Sequence, residues 1–474
     1  TVILTGTVGN TISLGETPQL GRDCSWALQE DGTYIETSKT TPGYENTDAG
    51  YDAWLQNVGY STPEIVISEV MTANRSTLLN SDGQLCDWVE LYNPTSETIQ
   101  LGNLYLSNDI ADRMKWQLPD SSLAAGERMV IRCSGSSAPA GDADFSLPRE
   151  GCTVTLSGSV GNVVTQVEVP RMEEDRAWAL QDNGTYAESN LPSPGYANTE
   201  DGYLAFRASQ NVPGGLIISE VMPSNAKYMI QDDGEYYDWV ELKNNSEEPI
   251  RLSGYAISND PDKLNKFALP DVTLEPGECF VIICSGNSDL SDDDYTHAPF
   301  TLSREESWLY LSRVSENRVI DLVRIYDVPY QHSVGRADGE NGTYYFTTPT
   351  PGTSNGSGVA FISATPEVVT PDGVYNDVES VTVEFNGEGN LYYTLDGSYP
   401  TAEVRVAAIE DGKLISDIVT AVYIINENHT LPVVSIVAPP ETLFGSKGIY
   451  TNYDWDREVR CNLKLFELDG NSFT

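Results

Sequence analysis

The chain has 474 residues, 71 Asp plus Glu against 27 Lys plus Arg, and a formal charge of −44. A surface this acidic repels phosphate backbones and anionic lipid headgroups, which excludes general nucleic-acid binding and peripheral membrane docking. Only three His are present, which argues against a multi-histidine metal site, and no run of about 18 apolar residues is available to span a membrane.

In chain order, TVILTGTVGN at Thr1–Asn10 reads as a strand and not as a charged-then-apolar signal peptide. SWALQEDGTY at Ser25–Tyr34 follows, and its Asp-Gly pair predicts a tight hairpin with positive φ at both central residues. The PGYENT stretch at Pro42 is rich in Pro, Gly and Asn and reads as a linker. ISEVM at Ile67–Met71 and DWVEL at Asp87–Leu91 are strand-like; Val89 and Leu91 share one face, Trp88, Glu90 and Tyr92 the other. ERMVIRCSG at Glu127–Gly135 alternates Met129, Ile131 and Cys133 against Val130 and Arg132, a half-buried strand with its Cys inward.

These elements then return. ISEVM recurs at Ile218–Met222, DWVEL at Asp238–Leu242 and CSG at Cys284, each displaced by 151 residues. A constant offset over several motifs means duplicated domains. TVTLSGSVGN at Thr153–Asn162 repeats the opening strand, AWALQDNGTY at Ala177–Tyr186 repeats SWALQEDGTY, and GRADGENGTY at Gly335–Tyr344 is a third version. PGYENT, PGYANT and PGTSNG close the units at Pro42, Pro194 and Pro351. The domains expected are 1–57, the back half of one unit; 58–208 and 209–356, two whole units; then 357–430 and 431–474. Residues preceding Thr1 are expected in the native protein, since half a sandwich cannot bury its own face. Short strands broken by turns every ten residues or so predict an all-β chain of tandem immunoglobulin-like β-sandwiches with a smaller β-sandwich module, and no helix longer than two turns. The seven Cys have no CxxC spacing and read mostly as buried thiols, with one disulfide open to them.

The run from ISEVM through DWVELYNP, IQLGNLYLSND, LPD and GERMVIRCSG, with its second copy through ISEVM, DWVELKN and GECFVIICSG, resembles the lamin-tail domain. The resemblance implies an immunoglobulin-like sandwich without a catalytic site, and its bacterial members look like accessory modules of exported multi-domain proteins. LYYTLDGSYPT at Leu391–Thr401, followed by Val404–Tyr423, is similar to the small C-terminal β module of chitobiase-like proteins. That likeness implies a further loop and strand between Glu403 and Val404. Leu431–Asn452 and Arg457–Ser472 look like the start of a spore-coat-kinase (CotH-like) domain, and the chain ends before that family's catalytic region.

Candidate ligand contacts are Trp88, Glu90, Tyr92, Trp239 and Glu241, because aromatics flanking a carboxylate stack on a sugar ring while the acid takes its hydroxyl protons. Against this stands a structural role under a covering loop, favoured because Lys243 replaces the tyrosine in the second copy. Asp289, Asp292, Asp293 and Asp294, with Asp260 and Asp262 elsewhere, are the candidate calcium ligands; no EF-hand spacing is present, and a solvated loop is the commoner outcome for such a run. No other cofactor is called for. Catalytic motifs are lacking, and His297, His332 and His429 fall in three different regions. The expected role is a non-catalytic extracellular or cell-surface bacterial protein, its sandwiches serving as spacer or binding modules for a surface protein or glycan. The alternatives are part of a CotH-type kinase whose catalytic residues lie beyond the chain, or carbohydrate-binding accessory modules.

Overall fold

A computed structural model describes residues 2–5, 7, 11–21, 24–58, 62–210, 214–396, 401–427, 429–438, 440–444, 448–453, 461–467 and 472–473. The chain divides into two compact units, 1–203 and 204–474, each built mostly of antiparallel strands.

The spelling of ISEVM follows from one inserted residue. Val66–Met71 pairs with Asp87–Tyr92 in the register Ile67↔Leu91, then Glu69↔Glu90, so Ser68 stands as a bulge with no opposite number. A bulge reverses the side-chain phase of the strand beyond it. Ile67 and Val70, three apart, therefore both reach the core at 0% exposure, while Glu69 and Met71 turn to the outer face. Ile218–Glu220 repeats the bulge at Ser219, with Ile218 and Val221 in the second core.

In the first unit the sheet order is Arg128–Cys133, Asp87–Tyr92, Val66–Met71, Ala177–Leu180, Tyr186–Ser189. Facing it are Val163–Val169, Cys152–Gly158, Leu104–Ser107 and Trp116–Gln117. Val89, Leu91, Ile131, Leu106, Val154 and Leu156 fill the space between, as alternation along each strand requires. In the second unit, Thr296–His297, Cys279–Cys284, Asp238–Asn244, Leu216–Met222, Ser333–Gly335 and Tyr344–Phe346 form one sheet. Phe267–Ala268, Tyr255–Ser258, Glu306–Arg313 and Arg318–Tyr326 form the other. The all-β sandwich expectation holds.

Three local readings are corrected. Helices of ten residues are present at Asp48–Asn57 and Glu200–Ser209, where none longer than two turns was expected. Each is capped by the threonine ending the PGYENT or PGYANT stretch: Gly50 N donates to Thr47 Oγ1 (3.0 Å) and Gly202 N to Thr199 Oγ1 (3.1 Å). The DGTY and NGTY hairpins exist, but only their glycines have positive φ (Gly32 +83°, Gly184 +81°). Gly32 N donates to Gln29 O and Gln29 N to Thr33 O, so the loop is the three-residue kind built on a type I turn and ending in a left-handed glycine, and Asp31 Oδ1 accepts from Thr33 N (2.9 Å). The third hairpin is one residue longer: Gly335 lies opposite Glu220 as Ala179 lies opposite Glu69, but Gly335 pairs with Tyr344 where Ala179 pairs with Ala187, and Val334 takes the position of Trp178.

Beyond the second sandwich, Gly373–Tyr375, Val419–Ile425, Thr401–Ile409 and Asn390–Asp396 form a four-stranded sheet. Glu403 and Val404 are consecutive within the Thr401–Ile409 strand, which pairs with Asn390–Asp396, so the hairpin needs no further strand between them. The turn read at Asp396–Gly397 falls on 397–400, outside the described residues. Val433–Val437, Asn462–Phe466 and Ser472–Phe473 make a last three-stranded sheet. All seven cysteines are thiols, and Cys133 and Cys284 lie in the two cores.

Candidate functional site

The bulge at Ser68 sets two carboxylates side by side. Glu69 and Glu90 are cross-strand partners with 0% exposure, as are Glu220 and Glu241. Buried acids need partners, because each desolvated charge otherwise costs several kcal/mol. Here the partners come from the closing stretch. Ser193 N donates to Glu69 (3.2 Å to each oxygen), and Gly195 N donates to Glu90 Oε2 at 2.7 Å. In the second sandwich Thr350 N donates to Glu220 Oε2 (3.0 Å) and Gly352 N to Glu241 Oε2 (2.5 Å). The stretch is further pinned by its asparagine: Asn198 Nδ2 donates to Ser68 O (2.7 Å) and Leu180 O (3.0 Å), and Asn355 Nδ2 to Ser219 O and Arg336 O (2.9 Å each). What read as linkers are clamps that fasten the end of each sandwich to its first strand.

The surroundings of the two acid pairs differ. Glu90 Oε1 also accepts from Ser68 Oγ (2.5 Å) and Arg128 Nη1 (2.5 Å), while in the second sandwich the position of Arg128 is held by Cys279, opposite Lys243. Burial pushes Glu69 well above the ordinary carboxylate range, and the Glu90 charge adds to it. Burial also raises Glu90, against the pull of Ser68 and Arg128. Glu220 is pushed up to about 6 by burial, offset by Ser333 and the Thr350 N–H. Glu241 is raised by burial, offset by Ser219, Gly352, Cys279 and Lys243. Burial and the facing Glu241 push the Cys279 thiol up to about 12.

The predicted ligand residues thus part company. Trp88 and Trp239 are fully enclosed: Trp88 packs with Met71, Ala177, Leu78 and Val130, and Trp239 with Met222, Ile283, Tyr228 and Tyr295. Neither indole has a free face to offer a sugar, and neither indole N–H finds an acceptor among the described residues. The segment 72–86 covers Trp88, held by Asn74, whose Nδ2 donates to Leu78 O (2.6 Å) and Cys86 O (2.7 Å). Tyr92 carries the Arg128 guanidinium over its ring at 4.3 Å. Glu90 and Glu241 are held by the clamps.

The acidic run is occupied locally. Asp292 Oδ1 accepts from Tyr295 N (2.7 Å) and Asp294 N (2.8 Å), bonds that hold this carboxyl below its ordinary range. Asp289 N donates to Asn287 Oδ1 (3.0 Å), and Asp260 Oδ1 accepts from Asp262 N (3.0 Å). With Asp293, these acids bring no three metal-ligating groups together among the described residues. His297 Nδ1 lies 3.0 Å from Ser285 Oγ. In the first sandwich Ser134 Oγ donates to Asp142 (2.6 Å) at the matching place, so the serine–histidine contact serves as a strand anchor. Both acid pairs are sealed from solvent, with no exposed oxygen to meet a substrate. Sequence reasoning saw the closing runs Thr41–Asn46, Ser193–Asn198 and Thr350–Asn355 but read them as linkers, and so missed the Ser/Thr-Pro-Gly-x-x-Asn pattern that receives the carboxylates.

Comparison with known families agrees with the repeat. Residues 59–171 and 209–327 each match the family model of the Lamin Tail Domain. Each match falls on one of the two sandwiches, so the tandem repeat and the all-β, immunoglobulin-like sandwich architecture agree with that family. No curated protein matches the chain.

Proposed function

We propose that the chain is a non-catalytic modular protein whose sandwiches serve as load-bearing spacer and display modules at an extracellular or cell-surface position, ahead of a CotH-like domain. The clamp carries this reading. In each sandwich the closing stretch is bonded to the opening strand through carboxylates out of reach of water, at Glu69–Ser193 and Glu220–Thr350. Pulling the ends apart must break these charge-assisted bonds, each roughly twice as strong as a neutral one, before any strand separates. The charge of −44 keeps such an array solvated and apart from anionic surfaces. Exposed loops at the sandwich ends then supply contacts for a protein partner or a glycan. The CotH-like and chitobiase-type assignments rest on the residue likenesses at 391–423 and 431–472.

The test is single-molecule stretching of the full chain by its ends. Two force peaks are expected, each releasing roughly 140 residues at about 3.5 Å per residue, near 500 Å of contour. Glu69→Gln with Glu90→Gln should lower one peak and leave the other. A chain that extends without resolved peaks, or clamp variants with unchanged peak forces, would overturn the reading.

A further inference from the structure

One arginine recurs in both sandwiches and finds its acid in a different place in each. In the first, Arg149 Nε donates to Met172 O (3.2 Å), Nη1 to Glu174 Oε1 (3.1 Å) and Nη2 to Glu173 Oε2 (3.0 Å). Arg304 holds the matching place in the second: Val328 N donates to its carbonyl (2.9 Å) as Met172 N does to that of Arg149 (3.1 Å). The path of the chain beyond is also kept. Gln331 N donates to Ser224 O as Asp175 N does to Ala73 O, both at residues with positive φ. Counting back from that pair, Pro329 and Tyr330 stand where the first sandwich has Glu173 and Glu174. Arg304 keeps the bond to the carbonyl, Val328 O (3.3 Å), but its own sandwich supplies neither acid.

The carboxylate comes instead from the module that follows. Arg304 Nη1 donates to Asp417 Oδ2 at 2.5 Å, and the Tyr330 N–H meets Asp417 Oδ1 at 3.4 Å. Asp417 lies between the Thr401–Ile409 and Val419–Ile425 strands of the four-stranded sheet. Its buried neighbour aims it: Ser416 N donates to Ala408 O (3.0 Å), while Ser416 Oγ accepts from Ala408 N (2.9 Å) and donates to Asp417 O (2.8 Å). The pair is largely covered, with 18% of the arginine and 30% of the aspartate side chain exposed.

The connector leaves no slack beside it. Tyr345 and Val359 exchange both backbone hydrogen bonds (2.8 and 3.0 Å), which ties the connector to the last hairpin of the sandwich. Leu414 N then donates to Phe361 O (2.9 Å) and Ser363 N to Leu414 O (2.8 Å), which ties it to the module. Ser363 Oγ also donates to Leu414 O (2.7 Å) and accepts from Glu410 N (2.9 Å). Only Ala360 separates the two sets of bonds.

We propose that Arg304 is a latch that locks the module at 357–425 onto the second sandwich, so that the two move as one body. Modules joined by a linker move relative to one another unless an interface stops them. Here a charge-assisted bond does so, stronger than a neutral one and closed over a short, already ordered connector. The occupant of the latch is Asp417 of the same chain. In the first sandwich Glu173 and Glu174 fill the matching arginine from within, and that face receives no module. The proposal goes beyond the spacer reading and does not depend on it, because it concerns a joint and not the clamps.

The experiment is hydrogen exchange of the full chain read by mass spectrometry. Slow exchange is expected at 359–363 and 414–416. Asp417→Ala should speed it by about tenfold, the loss of one hydrogen bond to a charged acceptor, with the Glu306–Arg313 and Val419–Ile425 strands unchanged. Tyr330→Glu, which gives Arg304 an acid of its own sandwich as Glu174 serves Arg149, should open the joint equally while leaving the module untouched. Arg304→Asp should open it as well, and adding Asp417→Arg should restore slow exchange. If Arg304→Asp unfolds the sandwich, the first two variants still decide. Unchanged exchange at the joint in Asp417→Ala and Tyr330→Glu, or acceleration that spreads through Glu306–Arg313, would overturn the proposal. Neither result bears on the force peaks, which report the clamps.

Discussion

Arg128→Cys writes the second sandwich's residue into the first, and its cost can be worked from the bonds that Arg128 makes. Glu90 is fully buried and Arg128 nearly so, with Nη1 2.5 Å from Oε1. Removing one partner of a buried ion pair typically costs about 3–5 kcal/mol, because the other charge is stranded. Two things lower that figure here. Glu90 keeps Ser68 Oγ at 2.5 Å and Gly195 N at 2.7 Å, and it can take up a proton in place of the missing cation. The guanidinium–Tyr92 contact adds about 0.5–1 kcal/mol to the loss. A net loss of about 2–3 kcal/mol at pH 7.5 follows, or roughly 5–10 °C in the melting point of a sandwich this size. At pH 5.5 the loss should shrink, since burial raises Glu90 and its protonation costs less as the pH falls. Adding Tyr92→Lys, which copies Lys243, should recover about 1 kcal/mol at the higher pH. Differential scanning calorimetry of the full chain at both pH values measures all three. An unchanged first-sandwich transition, or an equal drop at both pH values, would refute the role given to Arg128.

Both sandwiches should melt higher at pH 5 than at pH 7.5. Burial raises Asp87, Asp238 and Glu220 to about 6 in the fold, so their contribution is present below the unfolded values near 4 and is lost as pH rises through 6. The effect between those two pH values is about 1.3 kcal/mol per group, and a midpoint that is flat or rises with pH over that interval would refute the burial assignment. Gly202→Ala should remove the Glu200–Ser209 helix signal in circular dichroism, because a Cβ there would meet Ala197 O at 1.9 Å; an unchanged spectrum counts against the close approach. Trp88→Ala should cost about 3–5 kcal/mol in chemical denaturation, whereas Trp88→Phe should cost under about 1.5 kcal/mol, since the indole N–H holds no acceptor to lose. A large loss with phenylalanine would show that the N–H has a partner after all.

The duplicated sandwiches were legible because motif order and the 151-residue offset survive even where single residues drift. Inward positions were legible for the same reason that strands alternate: Val89, Leu91, Ile131 and Cys133 all reach the core. The acid pair was not legible. Simple alternation places Glu69 on the face of Ile67, and only the bulge at Ser68 brings it beside Glu90. The fate of Trp88 depended on segment 72–86, whose fold comes from Asn74 bonds that no periodicity announces. Closing stretches looked like linkers because Pro, Gly and Asn also build loops with no partner. Their helices escaped notice because Asp48–Asn57 and Glu200–Ser209 mix polar and aromatic residues without a clear stripe. The readable cue was the threonine followed by an acid in each copy, Thr47-Asp48 and Thr199-Glu200, which is a helix start.

Comparing the copies separates what the clamp requires from what merely compensates it. Glu69 and Glu90 recur as Glu220 and Glu241, the first of each pair accepting from the Ser/Thr N–H and the second from the Gly N–H of the closing stretch. Their neighbours are exchanged freely: Arg128 gives way to Cys279, Tyr92 to Lys243, and Ala177 to Ser333, whose hydroxyl bonds Glu220. A side-chain cation can be traded because proton uptake offers a second way to settle a buried acid. A backbone N–H cannot be traded, since it comes with the path of the chain. The carboxylates are thus best understood as reading the conformation of the closing stretch. Replacing one of them by an apolar residue should free that stretch and its helix long before it unfolds the sheet. Amide exchange on Glu69→Met would register this as fast exchange at 193–209 with slow exchange retained at 87–92. Uniform loss of protection would mean that the clamp and the sheet are one cooperative unit.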